Sequence, residues 1–288
     1  MPQTLAQAYR YCQWLTACHY ENFPVASWLL PVGMRPHVAA IYAFARTADD
    51  FADESRDPAA ALRSLDGWGD ALERCAAGRA DHPVFLALSE TIRRYGLPVQ
   101  LFRDLLTAFR RDVTVGRYVS WDDLLTNYCR YSANPVGRLV LLLFGYRDPA
   151  LHALSDHLCT ALQLTNFWQD LAIDLDKGRI YLPQEAMARY GVTEAELFQQ
   201  IVSDPFRRLM AHAADVTEPL FAQGAPLPGQ VRGRLAWELR ATWLGGMTVL
   251  RRVRATGYDT FRHRPTLTLW DKLGIGARAM TRSDRAVA

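Results

Sequence analysis

The sequence predicts an all-α fold. Apolar residues recur with a helical period along most of the chain, the periodic stretches stop at Pro and Gly signals, and no stretch reads as a strand. A first helix is expected over 4–19 and a second over 35–54, parted by Leu30-Pro31-Val32-Gly33. The third, 58–77, ends at Gly78. The fourth, 83–95, stops at Gly96-Leu97-Pro98, where a fifth covers 98–115. A sixth, 121–145, closes on the turn residues from Gly145 to Pro149. Asp148 then offers a capping carboxylate, and Pro149 suits the first turn of a seventh helix, 149–175. The eighth (200–222) and ninth (230–256) are separated by the stretch from Gly224 to Gly229. Beyond Ala277 the chain is small and polar, and a frayed tail is expected over 278–288.

Composition narrows the function. At 288 residues the chain can bury one large helical core or two small ones. A net charge of +3, with the basic residues dispersed and almost all Arg, argues against nucleic acid as a partner. The five cysteines form no CxxC pair, which fits reduced thiols in a cytoplasmic protein. No signal peptide is expected, since Met1 to Arg10 is polar. The strongly apolar run Leu139 to Phe144 is far short of the ~20 residues that span a bilayer. A lipid substrate would still bring the protein to a membrane surface.

Two acidic clusters, over a hundred residues apart, carry oxygen donors at helical spacing. In the first, Asp49 and Asp53 stand four apart and Asp50 and Asp53 three apart. In the second, Asn166, Asp170 and Asp174 follow i, i+4, i+8 on one face. Tyr42 and Arg46 extend the first stripe and Gln163 the second, while Ile41, Phe44 and Ala48 lie on a side that can pack. Phe167 lies beside the second stripe and Trp168 roughly opposite it. Stacked carboxylates ~4 Å apart repel by ~1 kcal/mol in water and ~4 at an effective dielectric of ~20. A divalent cation removes that penalty. Oxygen donors without nearby Cys or His favour Mg²⁺, with Mn²⁺ as the alternative, and Mg²⁺ usually leaves room for substrate phosphate. Two such faces meeting across a cavity suggest metal-bridged binding of a diphosphate.

Other readings of these residues fail. The stretch from Asp174 to Glu185 has the length of a calcium loop, but its sixth position is Arg179 rather than Gly, and Pro183 lies within it. The histidines show no zinc spacing, and neither a Gly-rich phosphate loop nor a GxSxG elbow occurs. Phosphate binding is left to metal and Arg.

Several segments resemble the squalene/phytoene synthases. Ala40-Ile41-Tyr42-Ala43-Phe44-Ala45-Arg46-Thr47-Ala48-Asp49-Asp50-Phe51-Ala52-Asp53-Glu54 is similar to their first Asp-rich motif. The run Asn166-Phe167-Trp168-Gln169-Asp170-Leu171-Ala172-Ile173-Asp174, with Lys177-Gly178-Arg179-Ile180-Tyr181-Leu182-Pro183, resembles the second. The segment from Tyr128 to Gly137 and the pair Gly257-Tyr258-Asp259 and Arg264 resemble further family segments. The likeness covers nearly the whole chain, which implies one isoprenoid-synthase helical domain with both acidic motifs lining a central cavity. Within the family, the stretch from His19 to Pro31 and Ser132-Ala133-Asn134-Pro135 resemble the bacterial hydroxysqualene synthases of hopanoid pathways.

The resemblance implies conversion of presqualene diphosphate to hydroxysqualene. Asp49, Asp50, Asp53, Asn166, Asp170 and Asp174 would hold Mg²⁺. Arg46, Arg179 and Arg264 would bind the diphosphate. His19, Phe23, Ala133, Asn134, Gly137, Gln163 and Tyr181 would complete the substrate site. Tyr42, Phe23 and Tyr128 are the aromatic candidates for stabilising a carbocation. Many relatives carry a basic residue and Ser where this chain has Glu21 and Asn22, and often a Tyr near Gly246. These departures point to the later step, with Glu21 or Asn22 orienting the water that quenches the cation, and no NADPH is expected. The expected setting is cytoplasmic, with peripheral contact to the inner membrane or a partner synthase. Two alternatives stand beside this: head-to-head coupling of two farnesyl diphosphates, and a non-catalytic assembly factor. The second predicts eroded Asp motifs, and both are intact here.

Overall fold

The computed structural model describes residues 4–18, 30–55 and 57–280. Among these the chain is helical, and its only bridge-like pairing is an isolated parallel one between Arg117 and Ile180. The amino-terminal helices are α1 (Leu5–Cys18), α2 (Arg35–Asp53), α3 (Pro58–Ala76), α4 (Pro83–Tyr95) and α5 (Val99–Thr114). A short α6 (Trp121–Leu124), a π turn (Leu125–Cys129), α7 (Arg130–Ser132) and α8 (Asn134–Leu143) follow. Next come α9 (Pro149–Gln169), α10 (Leu171–Asp176), α11 (Gln184–Tyr190) and α12 (Glu194–Phe198). The chain ends in α13 (Asp204–Gly224), α14 (Leu227–Gln230), α15 (Gly233–Ala255) and α16 (Leu269–Met280).

Local chemistry explains the starts. Asp57, His82 and Asp148 each accept a hydrogen bond from the backbone N–H two residues on, with Pro at the first turn of α3, α4 and α9. Thr193 and Glu196 form a reciprocal capping box on α12.

Two clusters of buried side chains build the interior. One is formed by α1–α5. Phe44 of α2 lies at its centre, ringed by Trp68, Phe85 and Phe102 at centroid distances of 6.1, 6.0 and 5.4 Å. The apolar side of α2 predicted from Ile41, Phe44 and Ala48 is indeed buried. The second cluster runs from Tyr118 to Val253 and centres on α9, which packs on α8, α13 and α15. Trp168, opposite the acidic stripe, is fully buried there, its indole N–H donating to Thr217 Oγ1 at 2.9 Å. Helix α8 serves both clusters, giving Leu139, Leu142 and Leu143 to the first and Leu141 to the second. The acidic end of α2 and the acidic end of α9 lie where the two meet.

Three expectations need correction. The seventh helix is not continuous: Asp170 leaves helical geometry (φ −105°, ψ 17°), so α9 stops at Gln169 and α10 resumes at Leu171. Backbone bonds from Asp170 N to Asn166 O (2.8 Å) and from Asp174 N to Asp170 O (3.0 Å) still carry the register across the break. The sixth helix is divided by the π turn. Residues beyond the ninth helix form a further one, and α16 runs to Met280, inside the stretch expected to fray.

Candidate active site between two acidic helix ends

The first motif closes α2. Arg46 pairs with Asp49 (3.1 Å) and Asp50 (2.6 Å) along the helix, and Tyr42 stands one turn earlier, half-buried. Asp53 reaches across to the segment after the second motif. Lys177 Nζ donates to its Oδ2 at 2.5 Å and Arg179 Nη1 to its Oδ1 at 2.8 Å. Burial works to raise the Asp53 carboxyl, but Lys177 and Arg179 outweigh it and hold the group below the usual carboxylate range.

The turn that supplies these cations is set by Gly178. Its φ of +73° allows Arg179 N to bond Asp174 O (2.8 Å) and Gly178 N to bond Leu175 O (2.8 Å), closing α10. A side chain there would strain the left-handed backbone that aims Lys177 and Arg179 at Asp53. The segment then runs beside Gly116–Val119, with bonds from Ile180 N to Gly116 O, Gln184 N to Tyr118 O and Glu185 N to Val119 O. This ladder fixes the second motif against the end of α5.

The second motif is held from the carboxy-terminal side. Arg264 grips Asp170 with two bonds, Nε to Oδ1 at 2.5 Å and Nη2 to Oδ2 at 3.1 Å. Beside it, Gln169 Nε2 donates to Pro265 O at 2.5 Å. Residues 257–268 are thereby strapped over the end of α9, and Arg252 donates to Thr266 O from below.

A residue that the sequence reading missed sits between the motifs. Asp112, near the end of α5, accepts from Tyr181 OH (2.7 Å) on Oδ1 and Tyr128 OH (2.9 Å) on Oδ2. Arg179 Nε donates to its backbone carbonyl at 3.0 Å. Around it the rings form a box. Phe167 stacks on Tyr181 at 3.7 Å between centroids, and Tyr128 lies 5.3 Å from Tyr181 and 5.6 Å from both Phe167 and Tyr118. The π turn ends just past Tyr128 and turns that ring inward. Burial pushes the Asp112 carboxyl up to about 6, against the pull of Arg179 and the two tyrosines. The sequence did hold a signal: Leu101, Leu105, Ala108 and Asp112 follow i, i+4, i+7, i+11, which puts a carboxylate on the buried stripe of α5.

The acidic groups also feel one another. Burial, then the charge of Asp53, pushes Asp49 up to about 7. Burial, then Asp170, pushes Asp174 up to about 8. Oxygen donors with this surplus of negative charge fit a hard divalent cation. Among the described residues no three His, Cys, Asp or Glu are gathered into a ready-made cage, and Arg and Lys hold the carboxylates instead. The donor set is thus one that would share an ion with phosphate oxygens rather than enclose it.

The remaining candidates fall in three places. Gln163 and Asn166 lie half-buried on the face of α9 that leads to Asp170. Ala133, Asn134 and Gly137 sit at the contact of α8 with α9. Asn134 Oδ1 accepts from Thr160 at 3.0 Å, and a Cβ on Gly137 would collide with Ser155 and Cys159. Their visible contacts are therefore with α9. His19, Glu21, Asn22 and Phe23 lie outside the described residues.

Comparison with known proteins gives the family and the fold. The family model for squalene/phytoene synthase matches residues 16–271. A hydroxysqualene synthase of Rhodopseudomonas palustris is 39% identical, over 74% of this chain and 72% of its own. A 15-cis-phytoene synthase of Synechococcus elongatus is 31% identical over 97% and 94%. The crystal structure of squalene synthase HpnC from Alicyclobacillus acidocaldarius superposes with a TM-score of 0.83 at 41% identity, covering 90% of this chain and 97% of that one. With its two acidic helix ends tied together across one site, this chain belongs to the squalene/phytoene synthase family.

Proposed function

We propose that the protein converts presqualene diphosphate to hydroxysqualene in a Mg²⁺-dependent reaction. The observation that carries this reading is the link from Asp53 to Lys177 and Arg179, which joins the first acidic motif to the exit of the second. One diphosphate held there would touch both. The choice of product is supported by identity: 39% to a hydroxysqualene synthase against 31% to a phytoene synthase.

Asp49, Asp50, Asp53, Asn166, Asp170 and Asp174 would hold Mg²⁺, which when bound would neutralise the leaving diphosphate as a Lewis acid. Arg46, Lys177, Arg179 and Arg264 already lie along the carboxylates, and their N–H groups would turn to phosphate oxygens as charge-assisted donors. The C–O bond to diphosphate breaks with its electron pair on oxygen and leaves a carbocation. Faces of Tyr42 and of the Tyr128, Phe167 and Tyr181 box would stabilise that charge by roughly 0.5–2 kcal/mol each. Asp112 fixes the orientation of Tyr128 and Tyr181 by accepting a hydrogen bond from each hydroxyl. That cyclopropylcarbinyl cation rearranges, a ring C–C bond breaks as water forms the new C–O bond, and the water's proton goes to the released diphosphate. Glu21 or Asn22 is the group proposed to orient that water, and alanine at each position should lower alcohol yield.

Mass spectrometry of products from presqualene diphosphate and Mg²⁺, with and without NADPH, tests the reading. An alcohol formed regardless of NADPH supports it, and squalene formed only with NADPH overturns it. A second reading, coupling of two farnesyl diphosphates, is favoured by the phytoene synthase match across nearly the full chain. Coupled product from labelled farnesyl diphosphate alone would establish it. Among the described residues no helix is long and apolar enough to cross a membrane. A cytoplasmic setting remains part of the proposal.

A further inference from the structure

Arg117 lies outside both acidic motifs, between α5 and α6, yet its side chain reaches the turn that carries Lys177 and Arg179. Its Nη1 donates to Gly178 O and to Gly116 O, each at 2.7 Å. Its Nε and Nη2 donate to the two carboxylate oxygens of Glu194, each at 2.8 Å. One guanidinium thus grips a carboxylate with a fork and still has an arm for backbone carbonyls. Glu194 opens α12, whose start is fixed by the capping box of Thr193 and Glu196. The hydrogen bonds from Arg117 hold the Glu194 carboxyl below its usual range, so the pair stays charged.

The peptide that joins Gly178 to Arg179 is therefore held at both of its polar groups. Its oxygen accepts from Arg117, and its N–H donates to Asp174 O at 2.8 Å. Gly178 has the widest backbone freedom of any residue type, and the two cations that meet Asp53 flank it in sequence. Fixing this one peptide plane fixes the direction from which Arg179 leaves the chain. A partly exposed ion pair adds little to stability by itself, and the Arg117 and Glu194 side chains are 28 and 41% exposed. Orientation of the turn is what this pair accounts for.

We infer that Arg117, steadied by Glu194, is a positioning residue that presents Lys177 and Arg179 to the diphosphate. The step rests on the function proposed above. Cations aimed beforehand need not be ordered when the anion arrives, which strengthens binding without a new contact. The test is calorimetric titration of the full chain with inorganic pyrophosphate in the presence of Mg²⁺. Arg117→Ala and Arg117→Lys should each weaken binding about ten-fold at unchanged circular dichroism, because one ammonium cannot both fork Glu194 and hold Gly178 O. Glu194→Ala should weaken it too, and adding it to Arg117→Ala should cost nothing more. In an Arg179→Ala background, Arg117→Ala should cost at most about two-fold, since the main side chain it aims is gone. The same ten-fold loss in both backgrounds would mean a general structural role and overturns the inference. Parent-strength binding by either Arg117 variant overturns it as well. A parent chain that binds no pyrophosphate sinks the proposed function together with this inference, whereas a parent that binds beside variants that bind equally sinks this inference alone.

Discussion

Asp112 shows how one side chain organises the space between the motifs. Its two oxygens accept hydrogen bonds from two buried phenols. Asp112→Ala should leave both hydroxyls unsatisfied, at about 1–3 kcal/mol each. Urea unfolding would show this, and adding Tyr128→Phe and Tyr181→Phe to the alanine variant should recover much of the loss, because removing both partners of a buried bond is nearly neutral. A second prediction concerns pH. Asp49 and Asp174 bind protons more tightly when folded, with values near 7 and 8 against an ordinary 3.8. Their contribution to stability is complete below about pH 4 and is lost as pH rises through those values. Each pKa unit is worth ~1.4 kcal/mol, and solvent screening of these half-buried groups reduces the total to roughly 1–2 kcal/mol. Asp174→Asn in chelator should therefore match the parent at pH 4 and melt higher at pH 8.5. Equal melting at both pH values would refute the assignment. Asp53 has the opposite sign: Lys177 and Arg179 hold it low, so its stabilisation is lost only on acidification.

At the scale of elements, the crossing of α15 over α9 and α13 depends on Gly246. A Cβ there would lie 2.5 Å from Leu162 Cδ2 and 2.7 Å from Phe221 Cζ, and Phe221 is fully buried. Gly246→Ala should cost about 1–3 kcal/mol in chemical denaturation, and a bulkier residue more, because the core has no slack. This also accounts for a departure noted in the sequence: the Tyr common near this position in relatives has no room in this packing. The long amphipathic helices were legible because each buries one regular stripe. α4 matches its expected 83–95 without change, α2 starts at the expected Arg35 with Pro in its first turn, and α9 starts where Asp148 and Pro149 place it. What was not legible depends on tertiary partners. The break at Asp170 follows the grip of Arg264, ninety-four residues away, and the π turn at Tyr128 follows the pull of Asp112. Helices α11 and α12 are too short for periodicity to reveal. The acidic motifs were readable from spacing alone. Their joining through Lys177 and Arg179 required the turn at Gly178, which the sequence shows only as a glycine beside two cations.

For the whole molecule, the two interior clusters meet through the apolar residues of α8 and through a set of ion pairs at the acidic helix ends. Asp53 of the first half holds Lys177 and Arg179 of the second, while Arg46 pairs with Asp49 and Asp50 and Arg264 with Asp170. Such a junction holds most of its carboxylates on cations without a ligand, but every pair in it is one that a cation and an anion arriving together would replace. A divalent ion alone would compete with Arg and Lys for carboxylates and leave those cations bare. A diphosphate alone would meet the acidic groups. Added together, each satisfies what the other displaces, so Mg²⁺ and inorganic pyrophosphate should stabilise the fold cooperatively. At a hundred times the dissociation constant the gain is ~2.7 kcal/mol, or roughly 5–10 °C in melting temperature for a chain of this size. Scanning fluorimetry with Mg²⁺, with pyrophosphate and with both would read it. The joint shift should exceed the sum of the separate ones, and Asp53→Asn should remove most of the excess, because that carboxylate lies where the two halves touch. Additive shifts, or an Asp53→Asn variant that keeps the full excess, would mean that the motifs do not act on one ligand.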